Sequence, residues 1–184
     1  MKKSIRSAYA KNSFKWVLVF FYLSAPILTN AQQVEWLHSK LLSLEQSGDD
    51  NNANTSREIK SLYSDIHSMM NLSGGDIQQQ GETAPELVDC DIQSIPLLYK
   101  SDKRYKKAAM LRIRITQPAD FLQIIDIARM TAFEGLKYIC FLVSFNSCPG
   151  DTEKNACVPD KVNKKILNSS GKSLLYLVTA EIPE

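Results

Sequence analysis

Histidine is scarce in this chain: two occur in 184 residues, His38 and His67, and none follows. Everything after position 67 therefore lacks the base for a Ser-His-Asp or Cys-His nucleophile scheme. The four cysteines, Cys90, Cys140, Cys148 and Cys157, are spaced by 50, 8 and 9 positions, with no Cys-x-x-Cys knuckle and no histidine nearby. That spacing excludes a sequence-local zinc knuckle and a thioredoxin-like redox motif. Glycine is missing where a nucleotide loop would need it. Ser169-Ser170-Gly171-Lys172-Ser173 looks like the tail of a P-loop, but the position five before Gly171 is Ile166, and the segment leads into a strand. It reads as a hairpin turn. Beyond Gln32 no apolar run approaches the roughly 20 residues of a membrane-spanning helix.

Acidic residues are absent from positions 1–31, where five basic ones stand: Lys2, Lys3, Arg6, Lys11 and Lys15. A short apolar run from Trp16 follows, ending at Thr29-Asn30-Ala31. A positive start, a short apolar core and small residues at the −3 and −1 positions make a secretory signal, with cleavage after Ala31. The rival reading is an uncleaved anchor, for which the run is short and interrupted by Pro26. Removing the signal leaves 153 residues and turns a net charge of +2 into −3. A mildly acidic chain of that length has room for one ordinary domain and no global attraction to nucleic acid.

An even cysteine count in an exported chain reads as two disulfides. Cys148 and Cys157 flank the polar loop 149–156, so they are expected to bond, and Cys90–Cys140 follows by elimination. Cys140 lies in the apolar run 138–145, so a buried thiol is the alternative there.

Helical spacing marks 33–46, with Val34, Leu37, Leu41 and Leu44 on one stripe. Positions 47–54 are polar and read as a flexible link. Thr55 and Glu58 suit a capping box, opening a helix that carries Ile59, Leu62, Tyr63, Ile66, Met69 and Met70 and ends at Ser73-Gly74-Gly75. Positions 78–86 read as a second linker. From 87 the period changes to short extended pieces at 87–90 and 95–99. The clearest strand is 109–116, where Leu111, Ile113 and Ile115 alternate with Arg112, Arg114 and Thr116. A helix with Phe121, Ile124, Ile125, Ala128 and Ala132 on one face should follow Pro118 and close near Gly135. The run 138–145 reads as a central strand covered on both faces, 161–167 as a short helix and 174–182 as the last strand. The organisation expected is thus a signal (1–31), a helical region with flexible linkers (32–84), and an α+β domain (85–184). That domain is read as a ferredoxin-like sandwich, its antiparallel or mixed sheet carrying helices on one face.

The largest charge cluster is Lys103, Arg104, Lys106 and Lys107 with Arg112 and Arg114, and Tyr99 and Tyr105 beside it. It is either a partner surface or a solvated edge that resists strand-to-strand aggregation. His38 and His67 read as helix surface or interface residues. Asp89 and Asp91 should point to one face, the only arrangement resembling a paired-carboxylate site. No cofactor or metal is called for.

A basic N-terminus, one apolar segment, amphipathic helices and then an α+β domain with β-α-β at 111–116, 121–132 and 138–145 resembles the PilO- and GspM-type periplasmic assembly proteins. Those belong to type IV pilus and type II secretion systems. The resemblance lies in element order and carries no residue role. Together with the signal, the motif-poor core and the absence of a nucleophile–base pair point to an exported, periplasmic or secreted, non-enzymatic binding or assembly component with a protein partner in the cell envelope. The membrane is involved only if the first segment is retained. The alternatives are a secreted hydrolase, and a secreted inhibitor or effector that uses the cysteine loop.

Overall fold

The computed structural model describes residues 33–148 and 156–180. The expected signal segment, the interior of the cysteine loop and the end of the expected last strand lie outside the described residues. Residues 32–184 form a compact unit by themselves.

Seven strands make the main sheet: β1 (Val34–Trp36), β2 (Met69–Ser73), β3 (Asp76–Gln80), β4 (Leu87–Asp91), β5 (Met110–Ile115), β7 (Tyr138–Val143) and β9 (Leu175–Ala180). Their order is β1-β9-β7-β5-β4-β2-β3, and every pairing is parallel except the hairpin β2–β3. A second, two-stranded sheet pairs β6 (Ile125–Asp126) with β8 (Ile166–Leu167). The helices are α1 (Leu37–Gln46), α2 (Asp50–Ser64), α3 (Ile95–Leu98) and α4 (Val158–Asn163).

From β4 to β9 the chain steps along the sheet in one direction, so crossovers of one hand all return over the same face. Ile95, Leu98 and Tyr105 come from the first crossover, Ile127, Met130 and Phe133 from the second, and Val158 and Val162 from the third. All of them share one core with Leu111, Ile113, Ile139, Phe141, Tyr176 and Val178. The opposite face is left to the N-terminal helices. Leu37, Leu44, Ile59 and Leu62 pack there on Leu87, Met110, Tyr138, Cys140 and Leu177. Glu58 secures α2, accepting from Lys137 Nζ at 2.6 Å and from the Tyr138 hydroxyl at 2.8 Å.

The mixed α+β character agrees with expectation, but the layers differ from a ferredoxin-like sandwich with helices on one face. Here both faces are covered, and parallel pairing dominates. The segment 32–84 is not a separate helical region, because β1, β2 and β3 belong to the same sheet as the rest. Val34 pairs with Tyr176 instead of starting a helix. The expected flexible link is largely the first turns of α2, opened by Asp49, whose side chain accepts from Asn51 N at 2.9 Å. That helix stops at Ser64, leaving Ile66 fully exposed, and Met70 and Leu72 are strand residues of the crossover face. Gly74 and Gly75 turn the β2–β3 hairpin with φ of 61° and 91°, as a two-residue turn with positive φ at both positions requires. The expected helix over 118–135 is 3-10 turns around β6, and the expected strand at 95–99 is α3. In both places local caps win: Asp91, Asp120 and Asp126 accept from backbone N–H groups and fold tight turns.

Cys148 and Cys157 are bonded, with Cα atoms 5.9 Å apart. Closing a loop of this length contributes about 2–3 kcal/mol. Cys90 and Cys140 are not bonded to each other, which corrects the second expected disulfide. Cys90 pairs with Ile113 and Cys140 with Arg112, so β5 separates them, and the alternation of side chains sends them to opposite faces. Burial, helped by Asp89 and Asp91, raises the Cys90 thiol well above its usual range and keeps it protonated.

Candidate functional site

Helices α1 and α2 cover only the N-terminal half of their face. Past the end of α2 no helix covers the sheet, and the rows there are Asn71 of β2, Asp89 of β4, Arg112 and Arg114 of β5, and Leu142 of β7. Asp89, Arg112, Arg114 and Leu142 line a cleft of about 330 Å³ that Tyr63, Thr116 and Ser144 complete. It lies toward the carboxyl ends of parallel strands, the usual location of ligand clefts in open α/β sheets.

The polar centre of the cleft is one carboxylate between two guanidinium groups. Asp89 is directly opposite Arg112 across the β4–β5 ladder. Its Oδ2 accepts from Arg112 Nε at 2.9 Å and lies 2.7 Å from Nη2. Its Oδ1 lies 2.9 Å from Arg114 Nη1, close enough for an ion pair but not aligned as a hydrogen bond. Asp89 has only 7% of its side chain exposed, whereas Arg114 has 33%. Arg114 Nη2 also donates to Asn71 Oδ1 at 3.2 Å. Arg112 reaches the Tyr63 carbonyl at the end of α2 at 3.5 Å, where a cation complements the helix dipole. Two cations against one anion leave the floor at +1, and Arg114 is the cation facing solvent.

A second cleft of about 300 Å³ adjoins the first, sharing Arg114 and Thr116. Its carboxylates are engaged in turns. Asp91 accepts from Gly74 N and Ser94 N, each at 2.8 Å, and from Ser73 Oγ at 3.2 Å. Burial opposes its ionisation, but these hydrogen bonds outweigh burial and hold its pKa below the ordinary aspartate value. Asp120 accepts from Thr116 N, Thr116 Oγ1, Gln117 N and Gln117 Nε2. Asp89 and Asp91 do share a face, as expected, yet each is committed to different partners. Among the described residues no group of three or more His, Cys, Asp and Glu side chains is placed to hold a metal.

The basic cluster expected from sequence divides in two. Lys103, Arg104, Lys106 and Lys107 surround a 3-10 turn before β5, pinned by Tyr105, which is buried and stacked on Phe133 with ring centroids 4.7 Å apart. Arg104 pairs with Asp102, and Lys106 with Glu134 at 3.0 Å. Tyr99 is also occupied, beneath Arg129 and accepting from Asp126 N. Arg112 and Arg114 belong to the other face, in the cleft. Sequence reasoning found both arginines but not Asp89 as their shared counter-ion, nor Asn71 and Tyr63 as neighbours. The sole signal was the alternation in each strand, which says nothing of register between strands 23 positions apart.

The other motifs resolve structurally. His67 bridges Glu86 Oε2 at 2.9 Å and the Ser61 carbonyl at 3.0 Å, and His38 is exposed on α1. Lys172 of the Ser/Gly/Lys segment donates to the Met130 and Phe133 carbonyls, tying two crossovers together. No described helix is long and apolar enough to cross a membrane. Compared with protein-family models, curated proteins and solved structures, the chain matches none.

Proposed function

We propose that this chain is an exported, non-enzymatic binding or assembly component of the bacterial cell envelope, and that the Arg114 side of the cleft is where it holds a partner. The observation that carries this reading is the Asp89–Arg112–Arg114 cluster. A guanidinium held in place by a buried carboxylate is a preorganised receptor for an anionic group, because its orientation is set before the ligand arrives. The cluster's carboxylate is buried and occupied by two guanidinium groups, which leaves Arg114 as the group that faces a ligand and favours a binding role. The Cys148–Cys157 bond supports an oxidising compartment, periplasmic or extracellular, in keeping with the basic and apolar start of the sequence. The resemblance to PilO- and GspM-type assembly proteins belongs to this same reading; it rests on the element order expected from sequence, whose helix at 121–132 is replaced by 3-10 turns. A partner presenting an aspartate, a glutamate or a chain-terminal carboxylate suits the cleft's charge and its apolar wall at Leu142.

The test is affinity capture from envelope extracts with the wild-type chain and with Arg114→Gln. One reproducible partner should be retained by the wild type and lost with the variant, which stays folded and melts only a few degrees lower. Recovery of no partner, or the same partner with both proteins, overturns the proposal.

A further inference from the structure

A separate surface, away from the arginine cleft, combines exposed apolar tips with unneutralised lysines. It forms where β6 meets β8. Ile125 N donates to the Lys165 carbonyl at 2.8 Å, and Ile125 is paired with Ile166. Because Ile125 is buried in the core, the alternation of side chains turns its neighbour outward. Ile124 is accordingly 50% exposed, Leu167 on the adjacent strand 51%, and Leu122 in the preceding turn 77%. Beside them runs a groove of about 490 Å³ walled by Pro118, Phe121 and Phe145 and bordered by Lys161, Lys164 and Lys165. Phe121 and Phe145 pack edge to face with centroids 5.9 Å apart, so the groove wall is built by the fold. Lys161 lies 5.8 Å from the Phe121 ring centroid and donates to the Ser147 carbonyl. Neither Lys164 nor Lys165 forms an ion pair among the described residues. Among the described residues the acidic groups nearby are Asp160 on α4 and Asp126 on β6, the latter occupied in capping Ala128 N.

We propose that this face docks the folded chain on an anionic lipid surface. Leu122, Ile124 and Leu167 project outward and enter the headgroup region. Lys161, Lys164 and Lys165 have stems long enough to reach phosphates while lying along the apolar tips. Such tips are unfavourable in water, and a contiguous apolar patch with a basic rim marks an interaction surface. The net positive rim selects against zwitterionic membranes and selects for anionic ones. Projecting tips favour a soft lipid surface over a protein partner, which would need a matching concavity.

The test uses residues 32–184, the compact unit, because the apolar N-terminal segment would itself partition into vesicles. Co-sedimentation with vesicles of phosphatidylglycerol and phosphatidylcholine should retain the protein, and phosphatidylcholine alone should not. The double variants Leu122→Ser/Ile124→Ser and Lys164→Glu/Lys165→Glu should each weaken binding about tenfold or more, with unchanged melting temperature. No binding to the anionic vesicles, equal binding to both compositions, or wild-type binding by both variants overturns the proposal. So does capture of the protein by immobilised polyglutamate with none on vesicles, which would assign the face to an acidic protein partner.

Discussion

The two faces of the main sheet are built from the same strands and finished in different ways. On the crossover face, three connections deliver Ile95, Leu98, Tyr105, Ile127, Met130, Phe133, Val158 and Val162 onto a continuous apolar floor. On the helix face, α1 and α2 cover only the lower rows, and the upper rows carry Asp89, Arg112, Arg114 and Asn71. The difference follows from connectivity. Crossovers that always step the same way must use one face, so the other depends on whatever the N-terminal segment supplies. Two helices of 10 and 15 residues do not reach across the whole sheet. The larger apolar core is therefore on one side and the open polar cleft on the other.

Neighbouring residues of β7 offer the sharpest way to break this comparison. Phe141→Ala removes a fully buried ring from the crossover face and should cost about 3–5 kcal/mol. Leu142→Ala, one position later on the cleft side, should cost under about 1 kcal/mol, because that side chain is already partly solvated. Urea denaturation of both variants measures it, and comparable losses would refute the division of labour.

The cleft itself should be asymmetric. Asp89→Ala leaves two guanidinium groups facing each other with no counter-ion and should destabilise by about 3 kcal/mol. Arg114→Gln keeps the Asp89–Arg112 pair and should cost about 1 kcal/mol. Thermal melts of the two variants and their double mutant give the coupling; an Asp89→Ala protein as stable as the wild type would show that the cluster is not preorganised.

The smallest effect concerns acid. Burial raises the Glu58 carboxyl, but hydrogen bonds from Lys137 and Tyr138 outweigh it and leave the group below its ordinary value, as they do at Asp91 with its own partners. A carboxyl whose folded pKa lies below its unfolded one, about 4.3 for glutamate, stabilises the fold above that unfolded value. The contribution is lost as pH falls through the folded value. Hydrogen exchange at decreasing pH should therefore show α1 and α2 loosening before β5 and β7, and Glu58→Gln should flatten the pH dependence of the urea midpoint. Simultaneous opening of both faces would contradict it.

Much of the sheet was legible in the chain. The alternation at 109–116, the apolar run at 138–145 and the last strand needed only the two-residue period and the burial it implies. The Cys148–Cys157 bond was legible too, since a polar loop between two close cysteines closes without disturbing a strand. The segment 118–135 was misread because its apolar residues fit a helical stripe, while Asp120 and Asp126 offered the backbone a competing set of hydrogen bonds. Met69 and Met70 continued the helical spacing of α2 by coincidence, and the strand was decided by pairing with Leu87 and Val88.

By itself the sequence determined a basic and then apolar order of residues at its start, extended segments around 109–116, 138–145 and 174–182, and two arginines on one side of a strand. Those properties are local: they follow from charge order and from side-chain period. Tertiary structure alone decided that β1 at one end of the chain pairs with β9 at the other, and that β5 lies between Cys90 and Cys140 and forbids their bond. It also decided that Asp89 faces Arg112, turning a stripe expected to be solvated into a part-buried ion-pair cluster. Register between distant strands is set by the joint packing of both faces, a global free-energy minimum that no single segment encodes.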